Sequence, residues 1–165
     1  MIKLFWDIDG TIRQLDKPTI GEELPFWNYK KNGVGFCTLV DNNLSILENA
    51  QPYSYLNVLN EQAKAVIITH QPEKWKPHTE RWLSRWIKIP YEIIYVNHPE
   101  EKLAYLDDNN YLVDDYPLFS SYDRVLLVDR LWNQGAKATN RIFGTKDLRE
   151  FLSQKFSFRA DVQKA

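Results

Sequence analysis

Five short apolar runs, each followed at once by polar residues, dominate the pattern of this chain. They lie at residues 3–6, 65–68, 91–96, 111–113 and 125–128. Runs of this length predict buried strands, and the segments between them have the apolar spacing of helices over residues 53–62, 77–88 and 146–155. Because the strands alternate with helices, we predict an α/β fold with a mainly parallel sheet flanked by helices.

Residues 13–49 break this alternation. A stretch rich in proline and aromatic residues at 17–29 is followed by apolar residues at 33–40 and 44–47, on either side of a turn-like Asp41-Asn42-Asn43. The last part predicts a β-hairpin. Because the segment leaves directly after the first strand, we interpret it as a small cap insertion that covers the site.

The length of 165 residues and the 44% hydrophobic content fit one domain with a modest insertion. We assign residues 1–12 and 50–155 to the core domain and residues 13–49 to the cap. The polar end of the chain, residues 156–165, is predicted to be a frayed tail.

The charge pattern favours a small soluble substrate. The formal net charge is −1 with acidic and basic residues interspersed, so no long nucleic acid is expected as a partner. Cys37 is the single cysteine, which rules out an internal disulfide and fits a reducing compartment. No apolar run has the length of a signal peptide or membrane span, so we expect a cytoplasmic protein without membrane contact.

The turn after the first strand carries the strongest chemical signal. At the carboxyl edge of a parallel sheet, where ligands bind, Asp7 and Asp9 can share one small volume. This spacing suits phosphoryl transfer, with Asp7 as the nucleophile and Asp9 as the general acid and base. Gly10 and Thr11 complete a tight turn whose backbone amides can bind phosphate oxygens.

Other strand ends supply the remaining groups for this reaction. Carboxylates beside a phosphate require a divalent cation, and hard oxygen ligands indicate Mg²⁺, with Asp114 and Asp115 as the further acids. Thr69 offers a hydroxyl and Lys102 an ammonium for the phosphate oxygens, and His70 could add a hydrogen bond.

These residues together resemble the four motifs of the haloacid dehalogenase superfamily of phosphotransferases. The motifs are Asp7-Ile8-Asp9-Gly10-Thr11, then Ile67-Ile68-Thr69, then Lys102, and finally Val113-Asp114-Asp115, in the order of that family. The resemblance implies a Rossmann-like core. It also implies that Asp7 and Asp114 ligate Mg²⁺ by side chain and Asp9 by its backbone carbonyl, while Asp115 supports the metal shell from outside.

Within the superfamily, the chain is most similar to the 5′(3′)-deoxyribonucleotidase branch. Residues 80–83, 101–102 and 112–117 resemble the middle of that branch, and residues 128–133 resemble a segment after its fourth motif. The predicted hairpin is a departure, because the branch carries a mainly helical cap. A second departure is His70-Gln71 after Thr69.

The ring-rich insert supplies candidates for substrate recognition. Phe26, Trp27, Tyr29 and Phe36 are positioned in sequence so that one of them could stack on a nucleobase above the site. Arg130, at the end of the fifth apolar run, is a candidate for either substrate contact or bracing of the site loops.

Three hypotheses follow for the function. The first is a Mg²⁺-dependent 5′(3′)-nucleotidase that hydrolyses nucleoside monophosphates through an aspartyl phosphate. The second keeps this chemistry but acts on a sugar phosphate, another small metabolite or the 3′-phosphate of a nucleic-acid end. The third is a catalytically silent module that binds a phosphorylated ligand. The sequence does not decide the oligomeric state.

Overall fold

A computed structural model describes residues 3–164, with side chains described up to residue 155. The strands follow in chain order as β1 (Lys3–Trp6), β2 (Lys30–Lys31), β3 (Val34–Gly35), β4 (Ala65–Thr69), β5 (Tyr91–Tyr95), β6 (Asn110–Asp114), β7 (Val125–Val128) and β8 (Arg141–Ile142). Six of them form one parallel sheet in the order β5-β4-β1-β6-β7-β8. The other two, β2 and β3, form a small antiparallel ribbon.

Helices connect these strands. They are α1 (Asp16–Ile20), α2 (Phe36–Asp41), α3 (Ser45–Asn49), α4 (Tyr55–Asn60), α5 (Lys76–Trp86) and α6 (Thr145–Lys164). Short 3₁₀ helices occur at Glu73–Trp75, Pro99–Tyr105, Pro117–Phe119 and Leu131–Asn133. The predicted α/β class is confirmed, with a parallel sheet flanked by helices and all five predicted strands in place.

Alternating side chains of β1 enter two different cores. Leu4 and Trp6 point to the face covered by α4, α5 and α6. Phe5 points to the opposite face, where Leu103 and Phe119 of two 3₁₀ helices pack. This alternation is the period-two geometry of a strand buried on both sides.

The strand order places a binding edge at the centre of the sheet. From β1 the chain first adds β4 and β5 on one side and then places β6 on the other. Such a reversal opens a crevice beyond the carboxyl ends of the strands. The β1–β6 register is extended past the strand by a hydrogen bond from the Asp7 amide to the Val113 carbonyl, 3.0 Å long.

The predicted β-hairpin over residues 33–47 is wrong. Most of these residues form α2 and α3 instead, because Val40 of α2 and Leu47 of α3 are each buried in one cluster with Trp75. The ribbon that does occur lies earlier, between β2 and β3, where Asn32 and Gly33 have φ angles of 50° and 79°. Positive φ at both loop positions suits an Asn-Gly pair and a two-residue turn.

The frayed tail predicted for 156–165 falls where side chains lie outside the described residues, so it stays a prediction. Across residues 3–164, no helix combines the length and the apolar character that crossing a bilayer requires.

Candidate active site

The side chains of Asp7, Lys102 and Asp114 meet at the carboxyl edge of the sheet. Asp7 follows β1, Asp114 ends β6, and Lys102 lies on the Pro99–Tyr105 helix. The Lys102 Nζ donates to Asp7 Oδ1 at 2.7 Å and to Asp114 Oδ2 at 2.8 Å. All three residues are buried, so these are charge-assisted hydrogen bonds shielded from solvent.

Asp115 joins this cluster from the next position. Its Oδ2 accepts a hydrogen bond of 2.8 Å from Trp132 Nε1, and its Oδ1 lies 3.4 Å from the Thr11 hydroxyl. The same hydroxyl lies 3.4 Å from Asp7 Oδ2. The Asn133 amide donates to the Asp115 backbone carbonyl at 3.0 Å, which holds the residue from the other side.

Burial dominates the electrostatics of the cluster. Loss of solvent raises the pKa of Asp7 to about 7, and the nearby Asp114 charge adds to this while Lys102 opposes it. Burial also raises the pKa of Asp115, and the charges of Asp7 and Asp114 raise it further. For Lys102, burial alone would lower the pKa, but the Asp114 and Asp7 carboxylates outweigh it and raise the pKa.

These acids have the composition of a divalent cation site. Within the described part of the chain, oxygens of Asp7, Asp114 and Asp115 all lie within 4.8 Å of one another. Three carboxyl groups face the single Lys102 ammonium in a buried pocket, so ionisation of all three would leave an excess of negative charge there. Hard carboxylate oxygens are the donors that Mg²⁺ prefers, so the donor set fits that ion.

Gly10 is required by the geometry of the loop that carries Asp7. Its φ angle is +84°, and a Cβ at this position would overlap the carboxylate of Asp115. Arg130 supports the same loop, because its Nε donates to the Gly10 carbonyl at 2.7 Å and its guanidinium lies 3.8 Å from the ring centre of Tyr53. Arg130 therefore braces the loop.

Asp9 lies apart from the buried acids, in an ion pair with Arg13. Arg13 Nε and Nη2 donate to the two carboxylate oxygens of Asp9 at 2.6 and 3.0 Å. The Asp9 side chain is 25% exposed, whereas that of Arg13 is fully buried. Asp9 also lines the cavity described below, so its carboxyl group is within reach of a bound ligand.

Thr69 and His70 lie at the end of β4, which neighbours β1 on the side opposite to β6 and Asp114. The Thr69 hydroxyl is buried and accepts a hydrogen bond of 3.3 Å from Gln71 Nε2. His70 Nδ1 lies 3.2 Å from the Val96 carbonyl oxygen, which fixes the ring at the end of β4. Both residues line the same cavity as Asp7 and Lys102, as the sequence analysis expects.

A cavity of about 540 Å³ opens above the cluster. Its floor includes Asp7, Asp9, Gly10, Lys102, Asp114 and Asp115, and the insert contributes part of its wall. Aromatic rings line much of it, from Trp27, Tyr29, Phe36, Tyr53, Trp75, Tyr116 and Trp132. This volume lies in the range of small-molecule sites.

Two of the predicted substrate residues do not line this cavity. Phe26 is 56% exposed and packs its edge against the ring of Tyr29, 5.3 Å between ring centres. Arg130 lies beneath the Gly10 loop, so the structure favours the bracing alternative over substrate contact. By contrast, the Trp27 ring lies 5.2 Å from the ring of Tyr116, the residue after the acidic pair.

Sequence reasoning missed Arg13 and Trp132. Arg13 follows the first motif and looks like an exposed polar residue at the start of the insert, yet it pairs with Asp9. Trp132 follows β7 in an aromatic and polar stretch that gives no sign of its bond to Asp115. The i, i+4 spacing of Asp9 and Arg13 is a local signal of their pairing. For Trp132, only the three-dimensional contacts reveal the role.

Comparison with known proteins adds no relative to this picture. No protein-family model, no curated protein and no solved structure matches the chain.

Proposed function

We propose that this protein is a Mg²⁺-dependent phosphomonoesterase of the haloacid dehalogenase type, acting through a phosphoaspartate on Asp7. The observation that carries the proposal is the contact of Asp7 with Lys102 and Asp114 in one buried cluster. Lys102 holds one Asp7 oxygen in place, which limits the orientations of the nucleophile. A cavity with room for a small ligand lies directly above.

The reaction divides into two displacements. An Asp7 oxygen forms a bond to phosphorus as the ester P–O bond breaks. Asp9 is ionised in its pair with Arg13, so it takes up a proton from solvent before this step and then donates that proton to the departing oxygen. Asp9 then accepts a proton from water, which attacks the phosphoaspartate and releases inorganic phosphate and free Asp7. Lys102 and the Thr69 hydroxyl would bind the phosphate oxygens.

Mg²⁺ would be held by the side chains of Asp7 and Asp114 and by the Asp9 backbone carbonyl, with Asp115 in a supporting position. When bound, the ion neutralises the facing carboxylates and the phosphate. The close approach of three buried acids, which helps to raise the pKa of Asp7, supports this assignment, because a cation would relieve the repulsion between their ionised forms.

We propose a nucleoside monophosphate as the substrate, in line with the resemblance to 5′(3′)-deoxyribonucleotidases. Rings of Trp27, Tyr29 and Phe36 face the cavity, which suits a flat apolar group such as a nucleobase. Helices α2 and α3 in the insert also remove one departure from that branch, whose cap is mainly helical.

Phosphate release with Mg²⁺ tests the proposal across deoxy- and ribonucleoside monophosphates, sugar phosphates and a 3′-phosphorylated oligonucleotide. We expect turnover of nucleotides, and a loss of at least about a thousandfold for Asp7→Asn, because the amide cannot form the phosphoenzyme. Faster phosphate release from sugar phosphates or from the oligonucleotide would show that this ester, and not a nucleotide, is the substrate. A silent binding module would release no phosphate and would bind phosphate ligands equally well with Asp7 or Asn.

A further inference from the structure

The guanidinium of Arg13 is a buried charge with an unusually complete set of partners. Besides the two bonds to Asp9, its Nη1 donates to the Leu47 carbonyl at 3.0 Å and its Nη2 to Thr79 Oγ1 at 3.1 Å. Its guanidinium also lies 5.5 Å from the ring centre of Trp82. These contacts fix the guanidinium against the insert and α5, so it has little freedom to move.

The hydrogen bonds continue from Arg13 to the other side of the site. Thr79 Oγ1 accepts from Arg13 and donates to Gln71 Oε1 at 2.7 Å. Gln71 Nε2 then donates to Thr69 Oγ1 at 3.3 Å. Because the Thr79 hydroxyl has one proton, this donor order follows directly, and it links Asp9 to Thr69 through buried side chains.

Fold stability alone does not account for such an arrangement. Burial of a charged side chain carries a desolvation cost, and well-packed apolar residues often replace buried ion pairs without loss of stability. The pair nevertheless directs a rigid, planar fork at the partly exposed carboxylate beside the cavity. A fork bound to both oxygens fixes the plane of the carboxylate as well as its position.

We propose that Arg13 is a positioning residue that holds the Asp9 carboxyl group in the orientation needed for proton transfer. The hydrogen bonds through Thr79 and Gln71 then keep the position of this carboxyl group fixed relative to the Thr69 hydroxyl. This inference rests on the proposed phosphomonoesterase function. It gives a role to three residues that contribute no atom to the reacting groups. Their effect is therefore expected on proton transfer, with little effect on substrate binding.

Two esters of similar size separate this role from a structural one. Phenyl phosphate releases a poor leaving group that requires a proton, whereas p-nitrophenyl phosphate releases an anion that requires little assistance. The kcat/KM value covers the steps up to departure of the alcohol. Misplacement of Asp9 therefore lowers kcat/KM for phenyl phosphate much more than for p-nitrophenyl phosphate.

The test compares Arg13→Gln, Thr79→Val and Thr79→Ser with the unaltered protein on both esters. For Arg13→Gln we expect kcat/KM on phenyl phosphate to fall about a hundredfold and on p-nitrophenyl phosphate less than about fivefold. Thr79→Val removes the acceptor of the Arg13 bond at nearly constant volume, so a smaller loss with the same selectivity is expected. Thr79→Ser keeps the hydroxyl and should retain the activity on both esters.

Thr79→Val decides the question if Arg13→Gln does not fold, as judged by its thermal unfolding. Equal losses on the two esters, or a change in KM alone, would overturn the positioning role and leave the proposed function standing. Absence of turnover by the unaltered protein, of both esters and of every nucleoside monophosphate, would remove the proposed function, and the positioning role with it.

Discussion

The floor and the wall of the cavity are built in opposite ways. On the floor, the charged residues Asp7, Lys102 and Asp114 are at most 7% exposed, and Lys102 binds both carboxylates. On the wall, the insert presents Trp27, which is 38% exposed, together with the exposed Cys37. The floor is a rigid charged site, and the wall is an apolar surface that a ligand can cover.

The elements behind the two surfaces explain this contrast. Neighbouring parallel strands fix the floor, since Asp7 and Asp114 continue directly from β1 and β6. The wall rests on α1, α2 and α3, which have five, six and five residues. Helices of this length do not persist alone in water, so tertiary packing must hold them, with Trp75 for α2 and α3 and with Trp132 for α1. Changes to the floor should therefore abolish chemistry, while changes to the wall should alter affinity.

Asp114→Asn removes one carboxylate from the floor of the cavity and gives the largest expected effect. Loss of this carboxylate removes a predicted Mg²⁺ ligand and one partner of Lys102, so turnover should be lost. In the unaltered protein, Mg²⁺ at a hundredfold excess over its Kd should raise the temperature midpoint of unfolding by about 5 to 10 °C. The variant should show almost no such shift in thermal unfolding. The exposed Asp123→Asn is the matched control, and an equal Mg²⁺ response in all three proteins would contradict the site.

The same Mg²⁺ response should depend on pH. Burial raises the pKa of Asp7 from 3.8 to about 7 in the folded protein, so the metal-free fold favours the protonated acid. A raised folded-state pKa means that this stability is lost as the pH increases from 3.8 towards about 7. Mg²⁺ binds the ionised form. The thermal shift with Mg²⁺ should therefore be larger at pH 8 than at pH 6.

Trp27→Ala tests the wall and has an intermediate expected effect. The substitution removes a ring that lines the cavity and packs against Tyr116, while every group of the floor remains. For a nucleoside monophosphate we expect KM to rise about tenfold, as for loss of one stacked ring, with little change in kcat. Steady-state kinetics measure both values. Phe26→Ala is the control, because Phe26 does not line the cavity, and an equal effect of the two would argue against stacking.

The contrast between floor and wall also explains what the sequence reveals. Asp7, Thr69 and Asp114 follow apolar runs, and parallel strands bring such ends together, so their proximity could be predicted. The insert could not, because Phe36 and Val40 belong to an apolar, β-branched stretch that suits a strand as well as a helix. Tertiary burial against Trp75 selects the helix. The bond of Arg13 to Thr79 and the bond of Trp132 to Asp115 likewise depend on residues distant in the chain, which no local pattern contains.

Glu48→Gln addresses the junction between the two surfaces and should have the smallest effect. The Glu48 carboxylate on α3 accepts one hydrogen bond from Arg81 on α5 and lies 2.7 Å from His78 Nδ1, so it joins the insert to the core. The bonds from Arg81 and His78 lower the pKa of Glu48 from 4.5 to about 2. A lowered folded-state pKa gives stability that is present above pH 4.5 and is lost as the pH falls towards 2.

The unfolding midpoint of Glu48→Gln should therefore be slightly below that of the unaltered protein at pH 7, and the difference should shrink at pH 3. Because the ion pair is exposed to solvent, added salt should reduce the difference as well. Glu150→Gln on α6 changes an exposed, more distant pair with Lys146 and is the control. A difference that persists unchanged at pH 3 would show that Glu48 acts through packing alone, and the junction would then depend on the apolar contacts of α3 instead of its charge.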